Sequence, residues 1–199
     1  MKRLDAWASV VVASLGFACF ACFGCGEAQP PAGPVSPTKP GSGSQAELYF
    51  PLEDGKIYAY AVIVDDSPDQ GMTVFDVVRT DKAHGKLVAK GSKVTKSFSY
   101  SPDGVARDTG VFILKAPIEV GTSWPGEHGG TTRITSIDAS VKVIAGSYAS
   151  CVQTVEEGGR VGTTKSWVTT YCPGVGIVLL EVKGEGRIEL KSYGAPIQT

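Results

Sequence analysis

The chain has 199 residues and a formal net charge of −1, with 42% hydrophobic and 20% charged residues. This composition is that of a globular protein, and its balanced charge gives no reason to expect nucleic acid as a partner, which requires a clustered basic excess. The 25 glycines and 12 prolines indicate a chain with many turns.

The N-terminus has the pattern of an export signal. Lys2 and Arg3 precede an uncharged apolar run, residues 6–25, which at 20 residues could also span a bilayer. Residues 27–47 are rich in Pro, Gly and Ser and cannot bury enough apolar surface to fold. We therefore predict a cleaved signal peptide (1–24), a flexible tether that begins with a modified cysteine (25–47) and a folded domain (48–199).

The end of the apolar run, Gly24-Cys25-Gly26, resembles the lipoprotein signal of bacteria. That resemblance implies a lipid-modified cysteine as the new N-terminus, with Cys25 the first candidate, Cys22 the second and Cys19 the third. An uncleaved anchor and a conventional cleaved signal are the alternatives. In Gram-negative lipoproteins a residue other than Asp after the cysteine, here Gly26, favours the outer membrane. The C-x2-C-x2-C spacing lacks the fourth Cys-Pro of a ferredoxin run, so we expect no cluster.

The rest of the chain is predicted to be all-β. Short β-rich runs alternate with turn signals about every ten residues, which predicts a single antiparallel, strongly curved sheet or barrel of about ten strands, with a two-sheet sandwich as the alternative. Trp124 and Trp167 are expected to cap or fill the core. The predicted strands cover residues 56–65, 72–79, 86–90, 94–100, 105–114, 131–137, 141–145, 150–156, 163–171, 177–182 and 187–193.

Cys151 and Cys172 lie on neighbouring predicted strands that a hairpin joins. Cross-strand neighbours are close enough for a disulfide, which forms in an oxidising envelope. We predict this bond, with two buried free thiols as the alternative. A loop of this size predicts a stabilisation of about 3 kcal/mol.

Four segments, taken together, resemble a group of poorly characterised bacterial envelope lipoproteins. They are an F-P-L-x2-G start at Phe50–Gly55, residues 117–124, residues 151–155, and a Y-x-P-G-V-G-hydrophobic-V segment at 171–178. The resemblance covers residues 49–183. It implies a curved antiparallel sheet, similar in kind to lipoprotein-carrier folds, and no established activity.

The sequence offers little that indicates catalysis. His84 and His128 are both expected to be solvated loop residues, and Asp65, Asp66 and Asp69 form an acidic turn without the ligand spacing of a calcium loop. No G-x-S-x-G motif is present. We therefore expect no catalytic residue, no metal site and no cofactor.

These features favour a membrane-anchored envelope lipoprotein that acts as a non-catalytic binding or structural module. Its expected partners are the membrane, through the lipid anchor, and an apolar ligand or an envelope protein. A carrier of an apolar ligand or lipid is the first alternative, because the strand at 58–64 is apolar on both faces. An envelope hydrolase is the second, supported only by unassigned loop carboxylates and hydroxyls.

Overall fold

The computed structural model describes residues 44–65, 67, 70–158 and 165–196. They form one antiparallel sheet of twelve strands that curves into a nearly closed barrel shape. The elements are α1 (Gln45–Tyr49), β1 (Ile57–Val64), β2 (Gln70–Arg79), β3 (His84–Ala89), β4 (Thr95–Ser101), β5 (Gly104–Arg107), β6 (Phe112–Lys115), β7 (Ser123–Pro125), β8 (Thr131–Val143), β9 (Gly146–Gly158), β10 (Lys165–Cys172), β11 (Gly176–Val182) and β12 (Gly186–Gly194). The strands lie side by side in the order β6-β5-β4-β3-β2-β1-β12-β11-β10-β9-β8-β7.

The predicted all-β, antiparallel, strongly curved sheet is confirmed, and the sandwich alternative is not adopted. The strand count differs for local reasons. The single strand predicted over 105–114 is split into β5 and β6, because Gly110 adopts a positive φ of 81° and its N–H bonds the Arg107 carbonyl at 2.9 Å. The strands predicted over 131–137 and 141–145 form one long β8 with three register shifts, and β7 was not predicted.

Alternate side chains along the strands face the inside of the curved sheet, as the two-residue period of a β-strand requires. On β1, Tyr58 and Tyr60 are buried. They pair with Phe75 and Thr73 of the neighbouring β2, respectively. The tyrosine hydroxyls donate hydrogen bonds to the carbonyls of Val175 and Ile177 at 2.5 and 2.9 Å, where β11 begins. The core is therefore rich in aromatic rings whose polar ends are satisfied by backbone.

A short N-terminal segment closes one end of the sheet. Helix α1 begins at its N-cap Ser44, whose hydroxyl accepts the Glu47 N–H at 3.3 Å, and the helix buries Ala46 completely. Just beyond it, Phe50 is 2% exposed, and its ring centroid lies 4.9 Å from that of Phe98. Helix residues Gln45–Glu47, which the sequence analysis assigned to the tether, are thus part of the folded domain. We call this end, where β4 finishes, the covered end, and the opposite end, where β4 begins, the far end.

The two outermost strands, β6 and β7, follow each other in the chain and face each other across a seam in the sheet. Side chains bond the β6 carbonyls there: Trp124 Nε1 donates to the Phe112 carbonyl at 2.8 Å, and the Tyr171 hydroxyl donates to the Ile113 carbonyl at 3.0 Å. Among the described residues, no helix is long and apolar enough to cross a membrane.

Candidate binding site at the far end of the sheet

The predicted disulfide between Cys151 and Cys172 is confirmed. The two residues lie on β9 and β10, next to the paired Tyr171 and Val152, with their Cα atoms 4.3 Å apart. Both are fully buried. The bond therefore joins β9 and β10 near the covered end.

At the far end, a buried carboxylate holds a glycine-rich loop in place. Glu156 lies on the inner face of β9 and is 6% exposed. It accepts hydrogen bonds from the His128 N–H at 2.7 Å, the Gly130 N–H at 3.2 Å and His128 Nδ1 at 3.0 Å. Burial alone would raise the pKa of the Glu156 carboxyl, but these hydrogen bonds outweigh burial and lower the pKa. We call residues 126–130 the clamp loop.

The clamp loop is also fixed by an aromatic contact. The His128 ring stacks on Trp167 of β10, with centroids 4.1 Å apart and planes at 5°. The expectation that His128 is a solvated loop residue was therefore wrong, because Glu156 and Trp167 hold its side chain at 24% exposure. Trp124 is 3% exposed and fills the core as expected, whereas Trp167 is only half-buried.

Two cations face the interior from the adjoining strands. Lys96 shares the inner face of β4 with Phe98 and is 8% exposed. Arg107 of β5 pairs with Phe98, so Lys96 and Arg107 are diagonal neighbours on one face of the sheet. The guanidinium carbon of Arg107 lies 5.2 Å from the Phe98 ring centroid. Burial first, and the Arg107 charge second, lower the pKa of Lys96 to about 7, although Glu127 acts in the opposite direction.

The clamp loop supplies the carboxylate nearest to these cations. Glu127 Oε1 lies 3.5 Å from Arg107 Nη1, and the Glu127 side chain is 32% exposed. Arg107 Nε is buried and has no hydrogen-bond partner within the described part of the chain, since Asp108 Oδ1 is 3.9 Å away. The guanidinium is thus only loosely paired.

The opposite arc of the inner face is apolar. Val62 of β1 pairs with Ile188 of β12, which pairs with Leu180 of β11, so that the three side chains share one face. It is the inner face, because Leu180 also pairs with buried Thr169. All three apolar side chains are only half-buried. The inner surface at the far end is therefore cationic along β4 and β5 and apolar along β1, β12 and β11.

The remaining predicted positions do not join this site. His84 is exposed as expected, and its Nδ1 lies 3.0 Å from the Asp81 carboxylate. Asp66 and Asp69 lie outside the described residues, and so do the lipidation candidates Cys25, Cys22 and Cys19. Within the described ranges, no group of three or more His, Cys, Asp or Glu could hold a metal ion.

Sequence analysis missed Lys96, Arg107 and Glu156. One usable signal was present: Lys96, Phe98 and Tyr100 alternate with small polar residues, which places the lysine on the same face as two aromatic rings. The partner of Glu156 could not be found in this way, because His128 lies 28 residues away in a loop.

No protein-family model and no curated protein matches the chain. Among solved structures, it resembles a protein from Bacteroides fragilis that is provisionally described as exported, with a YmcC-like fold. The TM-score is 0.51 and the sequence identity 13%, over 74% of this chain and 99% of that one. At this identity the likeness concerns the fold alone, and it defines the domain as a curved antiparallel sheet of that type.

Proposed function

We propose that the chain is an exported protein of the bacterial envelope, anchored to a membrane through a lipid on Cys25, whose all-β domain is a non-catalytic binding or structural module. The observation that carries this proposal is the buried Cys151–Cys172 disulfide, because such bonds persist in oxidising compartments and are rare in the cytosol. The location requires the export signal that Lys2, Arg3 and the apolar run provide.

Two further findings support the location. The Bacteroides protein with the same fold is itself described as exported, although only provisionally. The segments at 50–55 and 171–178 resemble bacterial envelope lipoproteins. The Gly26 that follows the modified cysteine favours the outer membrane, by analogy with Gram-negative lipoproteins.

The surroundings of the histidines bear on the hydrolase alternative, because a carboxylate on His Nδ1 is also the arrangement that a catalytic triad uses. Each histidine lies beside a carboxylate, His84 with Asp81 and His128 with Glu156, and the His128 ring is covered by Trp167 on one face. Nucleophilic hydrolysis by a serine needs a histidine whose second nitrogen reaches the hydroxyl. A fluorophosphonate probe is expected to leave the protein unlabelled, and stoichiometric labelling would restore the hydrolase alternative.

Metabolic labelling tests the anchor. Cells that express the full chain are grown with an alkyne analogue of palmitate, and the protein is isolated and tagged. We expect label on the wild-type chain and on Cys22→Ala, and none on Cys25→Ala, because the modified cysteine supplies the site of acylation. N-terminal sequencing should show that residues 1–24 have been removed.

Cys22→Ala is the matched control, since it removes a thiol from the same apolar run. Label that is lost with Cys22→Ala and kept with Cys25→Ala would move the anchor to the second candidate. A wild-type chain that carries no label and still begins at Met1 would overturn the proposal.

A further inference from the structure

The outer surface of β7, β8 and β9 carries a polar groove. On these strands Trp124, Thr132 and Glu156 are buried on the inner face, and the two-residue period of a β-strand turns their neighbours outwards. The outward side chains that line the groove, which has a volume of about 190 Å³, are Ser123, Thr131, Arg133, Val155 and Glu157. This is the space of about six water molecules, which suits a ligand smaller than a drug-sized compound.

The backbone of the groove is held by regular strand pairing. Ser123 pairs with Arg133, and Arg133 pairs on its other side with Val155, so these three side chains form one row on the outer face. Thr131 pairs with Glu157 in the adjacent row. A site on paired strands keeps its geometry better than a site on a loop. The groove therefore presents its side chains from fixed positions.

The groove holds two opposite charges that do not pair with each other. In the described part of the chain, Arg79, Arg107 and Arg187 each form an ion pair with a carboxylate. Arg133 has no such partner there, and neither has the carboxylate of Glu157, its diagonal neighbour across β8 and β9. Both side chains are exposed. A cation and an anion thus flank one groove, and each is free to bind a group of opposite charge.

We propose that this groove binds a small zwitterion, a free amino acid or a dipeptide, whose carboxylate lies on Arg133 and whose ammonium group lies on Glu157. This inference rests on the proposed function of the domain as a binding module, and it names the place on the domain and the class of ligand.

Each part of the groove matches one part of such a ligand. The guanidinium of Arg133 is a planar fork of N–H donors that fits the two oxygens of a carboxylate. The carboxylate of Glu157 accepts hydrogen bonds from an ammonium group. The hydroxyls of Ser123 and Thr131 both donate and accept, which suits the N–H and C=O of a peptide bond. A ligand with a single charge would use only one side of this arrangement.

The apolar part of the groove sets the character of the ligand skeleton. Val155 is half-buried and lies in one row with Arg133, one position before the diagonal partner Glu157 on the same face of β9. A short aliphatic side chain that covers Val155 removes apolar surface from water. Because the two charges are exposed and screened by solvent, each ionic contact is expected to change the affinity by only about two- to fivefold.

Saturation-transfer difference NMR tests the proposal, because it detects weak ligands on large particles. The full chain is placed in lipid nanodiscs, with empty nanodiscs as the blank. The ligands are alanine, alanyl-alanine, N-acetyl-alanyl-alanine, which lacks the ammonium group, and alanyl-alanine amide, which lacks the carboxylate. We expect saturation of the alanine or alanyl-alanine methyl groups, and about two- to fivefold weaker binding of each blocked dipeptide. The stronger of the two unblocked ligands identifies the source of the zwitterion.

Two variants connect each charge of the ligand to one residue. Arg133→Gln should weaken the binding of alanyl-alanine and leave that of its amide unchanged, because the amide has no carboxylate to lose. Glu157→Gln should weaken alanyl-alanine and leave the N-acetyl form unchanged. Arg187→Gln is the matched control, since Arg187 is an exposed arginine outside the groove and pairs with Glu189.

Three results would overturn the proposal: no saturation transfer from the wild-type chain, equal binding of all three dipeptides, or variants that weaken every ligand alike. The anchor and the ligand site fail separately. A chain that keeps the palmitate label on Cys25 but does not distinguish the dipeptides retains the anchor and loses the ligand site. A chain that distinguishes them but carries no acyl group retains the ligand site and loses the anchor.

Discussion

Glu156 and Lys96 are both ionisable side chains on the inner face of the sheet, but their surroundings favour the charged form of Glu156 and the neutral form of Lys96. Three N–H donors surround the Glu156 carboxylate, and its lowered pKa means that the ionised form is favoured. Lys96 is desolvated next to Arg107, and its pKa of about 7 means that its charge is disfavoured. The first residue fixes a loop in its ionised form, and the second carries a charge that burial and a neighbouring guanidinium make unfavourable.

The pKa of Lys96 makes a pH-dependent stability measurable. In the unfolded chain the lysine keeps its ordinary pKa of 10.5, whereas in the folded domain it is about 7. Between these values the unfolded state binds more protons, so the free energy of unfolding rises with pH. We expect a rise of up to about 1 kcal/mol per pH unit between pH 7 and 9 in urea unfolding of the ligand-free protein.

Lys96→Met is the comparison for this measurement, and its unfolding free energy should change less over the same range. The range stops at pH 9 because burial raises the pKa of Tyr60 above its ordinary value of 10. Near pH 10 and above, that tyrosine acts in the opposite direction, and stability falls. Identical slopes for the wild type and Lys96→Met would show that Lys96 is charged in the folded state at neutral pH.

For single residues, sequence patterns predicted a contact only where the two partners lie on elements joined by one hairpin. The two distal cysteines lie on strands joined by one hairpin, so their approach could be predicted from the strand pattern. The contact between His128 and Trp167 joins a loop to a strand that is two elements away in the sheet, and only the three-dimensional register reveals it. Lys96 and Arg107 lie on one face because of the register in which β4 pairs with β5. A single strand predicted over 105–114 does not contain that register.

Among the elements, α1 and the residues that follow it contribute more to the stability of the domain than their length suggests. The helix has five residues and is too short to be stable by itself. It is held by tertiary contacts: the Tyr100 hydroxyl accepts the Leu52 N–H at 3.3 Å and donates to the Phe50 carbonyl at 3.1 Å. Arg79 joins the helix through Glu47 at 2.8 Å and lies over the Tyr100 ring.

Removing the aromatic ring from this segment should therefore destabilise the whole domain. Phe50→Ala is expected to lower the free energy of unfolding by about 3–5 kcal/mol, because it leaves a cavity between Phe98 and Tyr171. Urea unfolding followed by circular dichroism measures the change. Val94→Ala, at a position that is 47% exposed, is the control and should change stability little. A loss below about 1 kcal/mol for Phe50→Ala would mean that the segment is only loosely attached.

The composition of residues 27–47 explains why the start of the domain was placed too late. The stretch is rich in Pro, Gly and Ser up to Ser44, and the helix that follows has a single buried apolar residue, Ala46. Propensity and period give almost no signal over five residues. Burial against a distant sheet, which the sequence pattern does not display, determines this element.

For the molecule as a whole, the twelve strands nearly close on themselves, and the seam between β6 and β7 is bridged by side chains. Trp124 contributes both a buried ring and the Nε1 donor to the Phe112 carbonyl. The carbonyls of an edge strand need partners when they are buried. The seam is thus closed by two aromatic side chains that reach across from β7 and β10.

Trp124→Phe tests this closure, because it keeps an aromatic ring and removes the donor. We expect a loss of about 1–3 kcal/mol in the free energy of unfolding, the range for a buried acceptor left without its hydrogen bond. Faster amide hydrogen exchange in β6 and β7 should accompany the loss. Trp167→Phe is the control, since Trp167 is half-buried and stacks on His128. Unchanged exchange in β6 would contradict a role of Trp124 in closure.

The curved, single antiparallel sheet was predictable from repeated short β-rich runs without helical periods. The strand order was not, because hairpin signals pair neighbours in the chain and say nothing about the pairing of its ends. That pairing, β1 with β12, depends on the match of Tyr58 with Tyr193 and of Tyr60 with Leu190 across a bulge. Sequence patterns alone do not specify such a match.

The β1–β12 pairing also sets a condition on how the domain is made. Among the described strands β1 is the first to be synthesised, yet one of its two neighbours, β12, is the last of them, about 130 residues later. Until that final strand arrives, one edge of β1 is exposed to pairing with other chains, which favours aggregation.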